Sequence, residues 1–167
     1  MNLAVVKRQA ADDAATVLAR LGRREIPVDP VRVAREMGLI VVDAELGPDT
    51  MGLLVKEPGQ DPTIMLNKDD GENRRRFTCA HEIGHYVRRS DEAEEYSTVD
   101  LRSGLSAQGS DEDEVYANGF AAALLMPEPE VTRLVKEGVA EWEMSLRFAV
   151  SREAMQYRLK NLESSAG

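Results

Sequence analysis

One stretch of eleven residues, FTCAHEIGHYV from Phe77 to Val87, constrains this chain more than any other. It holds both of the chain's histidines, four positions apart, with a glutamate directly after the first. On an α-helix four positions amount to about 40° of rotation and one turn of rise, so both imidazoles leave the same face. Such a pair can bind a single metal ion, and for a nitrogen pair zinc is the default. Glu82 sits beside His81 and His85. Its carboxylate can take a proton from the water that the metal activates and pass it towards a leaving amine. The flanking segment DDGENRRRFTCAHEIGHYVRRS supplies the helix, with Phe77, Ile83, Tyr86 and Val87 carrying the apolar pattern. Chance placement of two histidines on a core helix is the plainer reading, but the chain's whole histidine complement falls inside the pattern.

A mid-helix glycine costs about 1 kcal/mol relative to alanine, so Gly84 calls for a reason. Close packing against a neighbouring helix, such as one carrying a third ligand, supplies it. A catalytic zinc needs that third protein ligand and an open position. No histidine remains for the task. Cys79 lies about 200° around the helix from His81 and reads as a small buried apolar residue. The third ligand is then a carboxylate from downstream. In DEDEVYANGFAAALLMP the acids Asp111, Glu112, Asp113 and Glu114 gather at the N-terminal end, where acids are also favourable as plain solvated charges. Glu114 shares a side with Ala117, Phe120, Ala121 and Leu124 and is the best placed, although spacing alone leaves the other acids open.

The rest of the chain frames this site. Its 167 residues, 43% of them hydrophobic, suit one compact domain, or one domain with a small appendage. A net charge of −9 argues against general affinity for nucleic acid or anionic membrane. One cysteine excludes an internal disulfide and fits a reducing cytosol. The opening MNLAVVKRQAADDAATVLARL has the wrong order for a signal peptide, and no apolar run approaches a membrane span. A cytoplasmic protein is expected.

Periodicity predicts a helix from about Val5 to Leu21, then a short one over PVRVAREMG, entered through Asp29 and closed at Gly38. LIVVDAEL, MGLLVKE and TIMLNK read as three strands with short links. The acidic segment from Asp91 to Glu112 reads as a long surface loop. It could lie beside the cleft and favour a basic substrate. Four helices follow, over DEVYANGFAAALLM, PEVTRLVKEG, EWEMSLRFA and SREAMQYRLKNLE. The expected fold is α+β: a small, mostly antiparallel three-stranded sheet packed on helices. Residues 1–130 are expected to form the core and residues 131–167 a helical segment packed on it.

RRFTCAHEIGHYV followed by EVYANGFAAALLMP resembles the ImmA/IrrE family of metallo-endopeptidases, and IPVDPVRVAREMGLIVV, MGLLV and FAVSREAMQYRLKNL extend the resemblance through most of the chain. The resemblance implies a zincin-like fold and a zinc-dependent protease, with Mn2+ or Fe2+ as possible substitutes, that cleaves a helix-turn-helix repressor or antitoxin. It implies His81, His85 and Glu114 as ligands, Glu82 as general base, and Asn118 as a partner that orients a ligand. Tyr116 stands where many relatives have a second acid. Larger members add a C-terminal sensor domain; none is expected with a sequence that closes on KNLESSAG, so any signal is expected from a partner, the metal supply or the substrate.

The last two predicted helices, broken at Val150–Ser151, also read as a helix-turn-helix with Ser151 as N-cap. Arg152, Gln156 and Lys160 would face outward on the second helix. Glutamates interleave with the basic residues and leave no strong positive face, so a hairpin completing the core is favoured over a DNA-reading element. The rival function is a non-catalytic regulator that binds DNA or a repressor through this pair, with a structural metal. For oxyanion stabilisation Tyr86, Tyr96 and Tyr116 all remain open.

Overall fold

The computed structural model describes residues 2–22, 25–90, 94–102 and 112–166. Among them are seven helices and four strands. Helix α1 (Leu3–Arg20) starts at Asn2, whose side chain accepts from the Ala4 amide at 3.0 Å. It buries the i, i+4 stripe Val6, Ala10, Ala14 and Leu18. Helix α2 (Pro30–Glu36) is capped as expected: the Asp29 carboxylate accepts from the amides of Val31 and Arg32, and Pro30 occupies the first turn. It ends in a Schellman pair, Gly38 N–H to Arg35 C=O and Leu39 N–H to Ala34 C=O, with Gly38 at φ 91°.

Strands β1 (Ile40–Ala44), β2 (Thr50–Lys56), β3 (Thr63–Asn67) and β4 (Tyr96–Leu101) form one sheet in the order β1-β3-β2-β4. β1 runs parallel to β3, while β2 is antiparallel to both β3 and β4. The expected sheet of three mostly antiparallel strands is therefore corrected to a mixed sheet of four. The added strand comes from the segment read as an acidic loop, of which residues 91–93 and 103–111 lie outside the described residues. β4 escapes the usual binary pattern because its polarity is inverted. Thr98 and Asp100 are turned inward and partly buried, while Val99 is 51% exposed.

Leu54, Ile64 and Leu66 from the sheet are buried where helix α3 (Glu72–Arg89) crosses it. Helix α4 (Glu112–Leu125) packs along α3, and α1 covers the other side of α4. The helices α5 (Glu128–Lys136), α6 (Glu141–Phe148) and α7 (Arg152–Ser165) complete the chain. Arg76 of α3 donates from Nε to the Ala149 carbonyl at 3.1 Å and from its terminal nitrogen to Val28, joining the α6–α7 junction to the core. That junction turns through Ala149 at φ 54°, and Ser151 then caps α7 by accepting from the Ala154 amide. On the outward side of α7, Arg152 and Gln156 both bond to Glu141. No helix among the described residues is long and apolar enough to cross a membrane.

Candidate metal centre

Eight consecutive residues of α3, Thr78 to His85, are buried, because the sheet covers one side of the helix and α4 the other. Gly84 makes the second contact possible. A Cβ built there would stand 3.0 Å from the Ala117 Cα and 3.2 Å from its carbonyl oxygen, so the two backbones nearly touch. The close packing expected of Gly84 is present, and its neighbour is the helix that carries Glu114. Cys79, fully buried, has its thiol pushed up to about 12 by burial, which leaves it an inert core residue.

This packing brings three donors together. His81 Nε2 lies 3.1 Å from His85 Nε2 and 3.2 Å from Glu114 Oε2, and His85 Nε2 lies 2.9 Å from Glu114 Oε1. Ligands held about 2 Å from one tetrahedral ion stand roughly 3.3 Å apart, so the triangle fits a single small cation. Of the acids at the start of α4, it is Glu114 that meets the histidines. Glu112 and Asp113 instead face Arg88 and Arg89, and Asp111 lies outside the described residues. Asn118, one turn further along α4, accepts from His81 Nδ1 at 2.9 Å. With the proton on Nδ1, the Nε2 lone pair is free to face the other donors.

The electrostatics point the same way. Burial opposes charge on His81, yet Glu114, Glu82 and Asp100 outweigh it and push its pKa up to about 9. Burial would raise Glu114, but its bonds to His81 and His85 hold it down to about 2. A pocket that grips a proton this firmly is one that a divalent cation would also satisfy.

Glu82 is fully buried beside the triangle, and burial raises its pKa. Its Oε2 accepts from the Thr98 hydroxyl at 2.8 Å, whereas Oε1, also buried, has no hydrogen-bond partner among the described residues. Asp100, two residues further along β4, has its Oδ2 3.9 Å from His81 Nε2. Sequence reasoning missed both Thr98 and Asp100. The period-two spacing of YSTVDL was the available signal, and its inverted polarity hid it.

Residues 34–160, spanning both histidines and Glu114, match the family model described as the IrrE N-terminal-like domain. The chain belongs to the ImmA/IrrE family. It is 30% identical over 147 aligned positions to the radiation response metalloprotease IrrE of Deinococcus radiodurans, covering 75% of this chain and 44% of that protein. It thus spans less than half the length of that relative. A Mycobacterium tuberculosis transcriptional regulator shares the fold, with a TM-score of 0.61 at 19% identity over 95% of this chain and 52% of that one.

Tyr116 is buried and its hydroxyl donates to Asp13 of α1 at 2.5 Å. Burial and that carboxylate raise its pKa, and Arg88 lies over its ring, 5.0 Å from the centroid. Tyr116 thus ties α4 to α1 and turns away from the donors. A cleft of about 130 Å³ opens beside His81, walled by Met51, Phe77, Asp100 and Glu114 with Arg74. None of the three candidate tyrosines is among its lining residues.

Proposed function

We propose that this chain is a metal-dependent endopeptidase of the cytoplasm, with Zn2+, or Mn2+ or Fe2+ in its place, held by His81, His85 and Glu114. Its substrate is a helix-turn-helix transcriptional repressor or antitoxin. The observation that carries the reading is the buried, unpartnered Oε1 of Glu82 beside three converging donors. A purely structural metal site has no use for such a base and fills its fourth position with protein. Family membership supports a protein substrate, as does the metalloprotease activity named for the Deinococcus relative.

When bound, the metal supplies Lewis acidity, which makes water a nucleophile at neutral pH and polarises the scissile carbonyl. The chain's own residues do the rest. Asn118 holds the His81 ring in the tautomer that leaves Nε2 available. Thr98 fixes one oxygen of Glu82, so that the other accepts the proton of the attacking water and returns it to the departing amine. Burial, by raising the Glu82 pKa, brings the base towards the working pH.

We read the arrangement as zincin-like, with residues 1–130 as the peptidase core and residues 131–167 as a helical segment packed on it. The pairing of Arg152 and Gln156 with Glu141 supports a structural role for α7 over DNA reading. Incubating the chain with helix-turn-helix repressors from its own source, with and without chelator, tests the function. Chelator-sensitive fragments are expected. Intact repressor bound in a stable complex would instead indicate the non-catalytic regulator.

A further inference from the structure

A second site lies at the far end of α4. A groove of about 650 Å³ runs between α1 and α5, closed at one end by Ala123 and Pro127 and at another by Arg158 of α7, within the range of roughly 300–1,000 Å³ usual for small-molecule sites. One side of it is small and apolar, with Ala11, Ala15, Leu18 and Ala123, and the side from α5 is largely polar. Into it faces Arg158, only 8% exposed. The Nε of Arg158 donates to the Met126 carbonyl at 3.0 Å, which fixes the plane of the guanidinium. Its terminal nitrogens make no hydrogen bond, and it forms no ion pair, among the described residues. Glu128 acts on it only through space, and burial lowers its pKa.

The terminal nitrogens are not among the buried, unpartnered polar atoms and so open into the groove, where a planar fork of donors fits a carboxylate in two-point contact. Lys136, which also lines the groove, has no ion pair among the described residues, whereas Arg133 is already held by Glu130 and Glu137. Two acids, Asp12 and Glu128, line the same groove and disfavour a multiply charged ligand. The occupant is therefore a monoanion with an apolar body.

We propose that this groove binds a small organic monocarboxylate, its carboxylate on Arg158 and its hydrocarbon part against α1 and Ala123. The site is separate from the metal centre. Ala123 and Glu114 lie nine positions apart on α4, roughly 14 Å along the helix. The proposal does not depend on the peptidase reading.

Titration of the full chain with hexanoate, hexanamide and inorganic phosphate, followed by amide NMR shifts, tests it. Hexanoate is expected to bind saturably and to shift amides of α1 and α7. Hexanamide and phosphate should bind at least about tenfold more weakly, as expected for loss of a charge-assisted pair or of the apolar contact. Arg158→Gln should weaken hexanoate by a similar factor. Ala15→Phe, on the exposed side of α1, should block the groove without touching Arg158 and decides the matter if the arginine variant does not fold. Absence of saturable hexanoate binding, equal binding of hexanamide, or binding that persists in Ala15→Phe (as ligation at the metal centre would) overturns the proposal. So does a concentration-dependent dimer that Ala15→Phe abolishes, since a second copy would then fill the groove.

Discussion

Gly84 of α3 lies so close to Ala117 of α4 that a methyl group at position 84 would meet the Ala117 backbone at 3.0 Å. This contact sets the separation of the two helices, and with it the distance between the histidines and Glu114. Gly84→Ala gains about 1 kcal/mol in helix propensity, but overpacking against backbone typically costs about 1–3 kcal/mol. The expected outcome is a net loss of stability in urea and a weaker metal affinity in chelator competition. Unchanged affinity would show that the contact does not govern donor spacing.

Asn118 accepts from His81 Nδ1 and so selects the tautomer that presents Nε2. Partners of this kind are worth about 10–100-fold in metal affinity. Asn118→Leu should lower affinity by that order, whereas Asn118→Asp should keep it, because a carboxylate accepts the same proton. Equal losses in the two variants would contradict the assigned hydrogen bond.

Thr98 reaches Glu82 from β4 and leaves the other carboxylate oxygen unpartnered. Thr98→Val keeps the shape and removes the hydroxyl. Metal content should be unchanged while kcat falls by about 10-fold or more, within the range of a positioned acid–base group. The Thr98 bond lowers the Glu82 pKa. Its loss should therefore move the acid limb of the pH–rate profile to higher pH, and a shift to lower pH would be the wrong sign.

The metal-free chain should show the ion pair in its stability. His81 has a folded pKa of about 9, above its ordinary 6.5, so the folded state holds the extra proton between these values. Its contribution is complete below pH 6.5 and is lost as pH rises through 9. Glu114 is depressed from 4.5 to about 2, so its contribution is present above pH 4.5 and lost as pH falls through 2. These are two ends of one interaction and do not add. Urea midpoints of the metal-free protein across pH 2 to 10 should fall at both extremes, with the raised Glu82 and Asp100 tilting the interval between them towards greater stability at its acid end. Metal should flatten the alkaline fall, because it takes the place of the proton.

Much of this was legible because the signals are local. The Asp29 cap, the Gly38 terminus and the Ser151 cap each depend on a few adjacent residues, and each is where the sequence placed it. The spacing of His81 and His85 needed only a helix. Glu114 needed a helix face to separate it from its neighbours, and the structure sends Glu112 and Asp113 to Arg88 and Arg89 instead. β4 was illegible for a functional reason: its inward positions carry Thr98 and Asp100 because they face Glu82 and His81, so the strand lacks the apolar inner row that marks other strands. Arg158 was missed because a buried arginine breaks the rule that charges on a helix face outward.

The central claim is that Glu82 is a base at a metal centre it does not ligate. Glu82→Gln keeps the hydrogen-bonding shape and removes the proton acceptor. Metal content and repressor cleavage should be measured on one preparation of this variant. The account predicts a full complement of metal with no cleavage, and cleavage at the wild-type rate would contradict it.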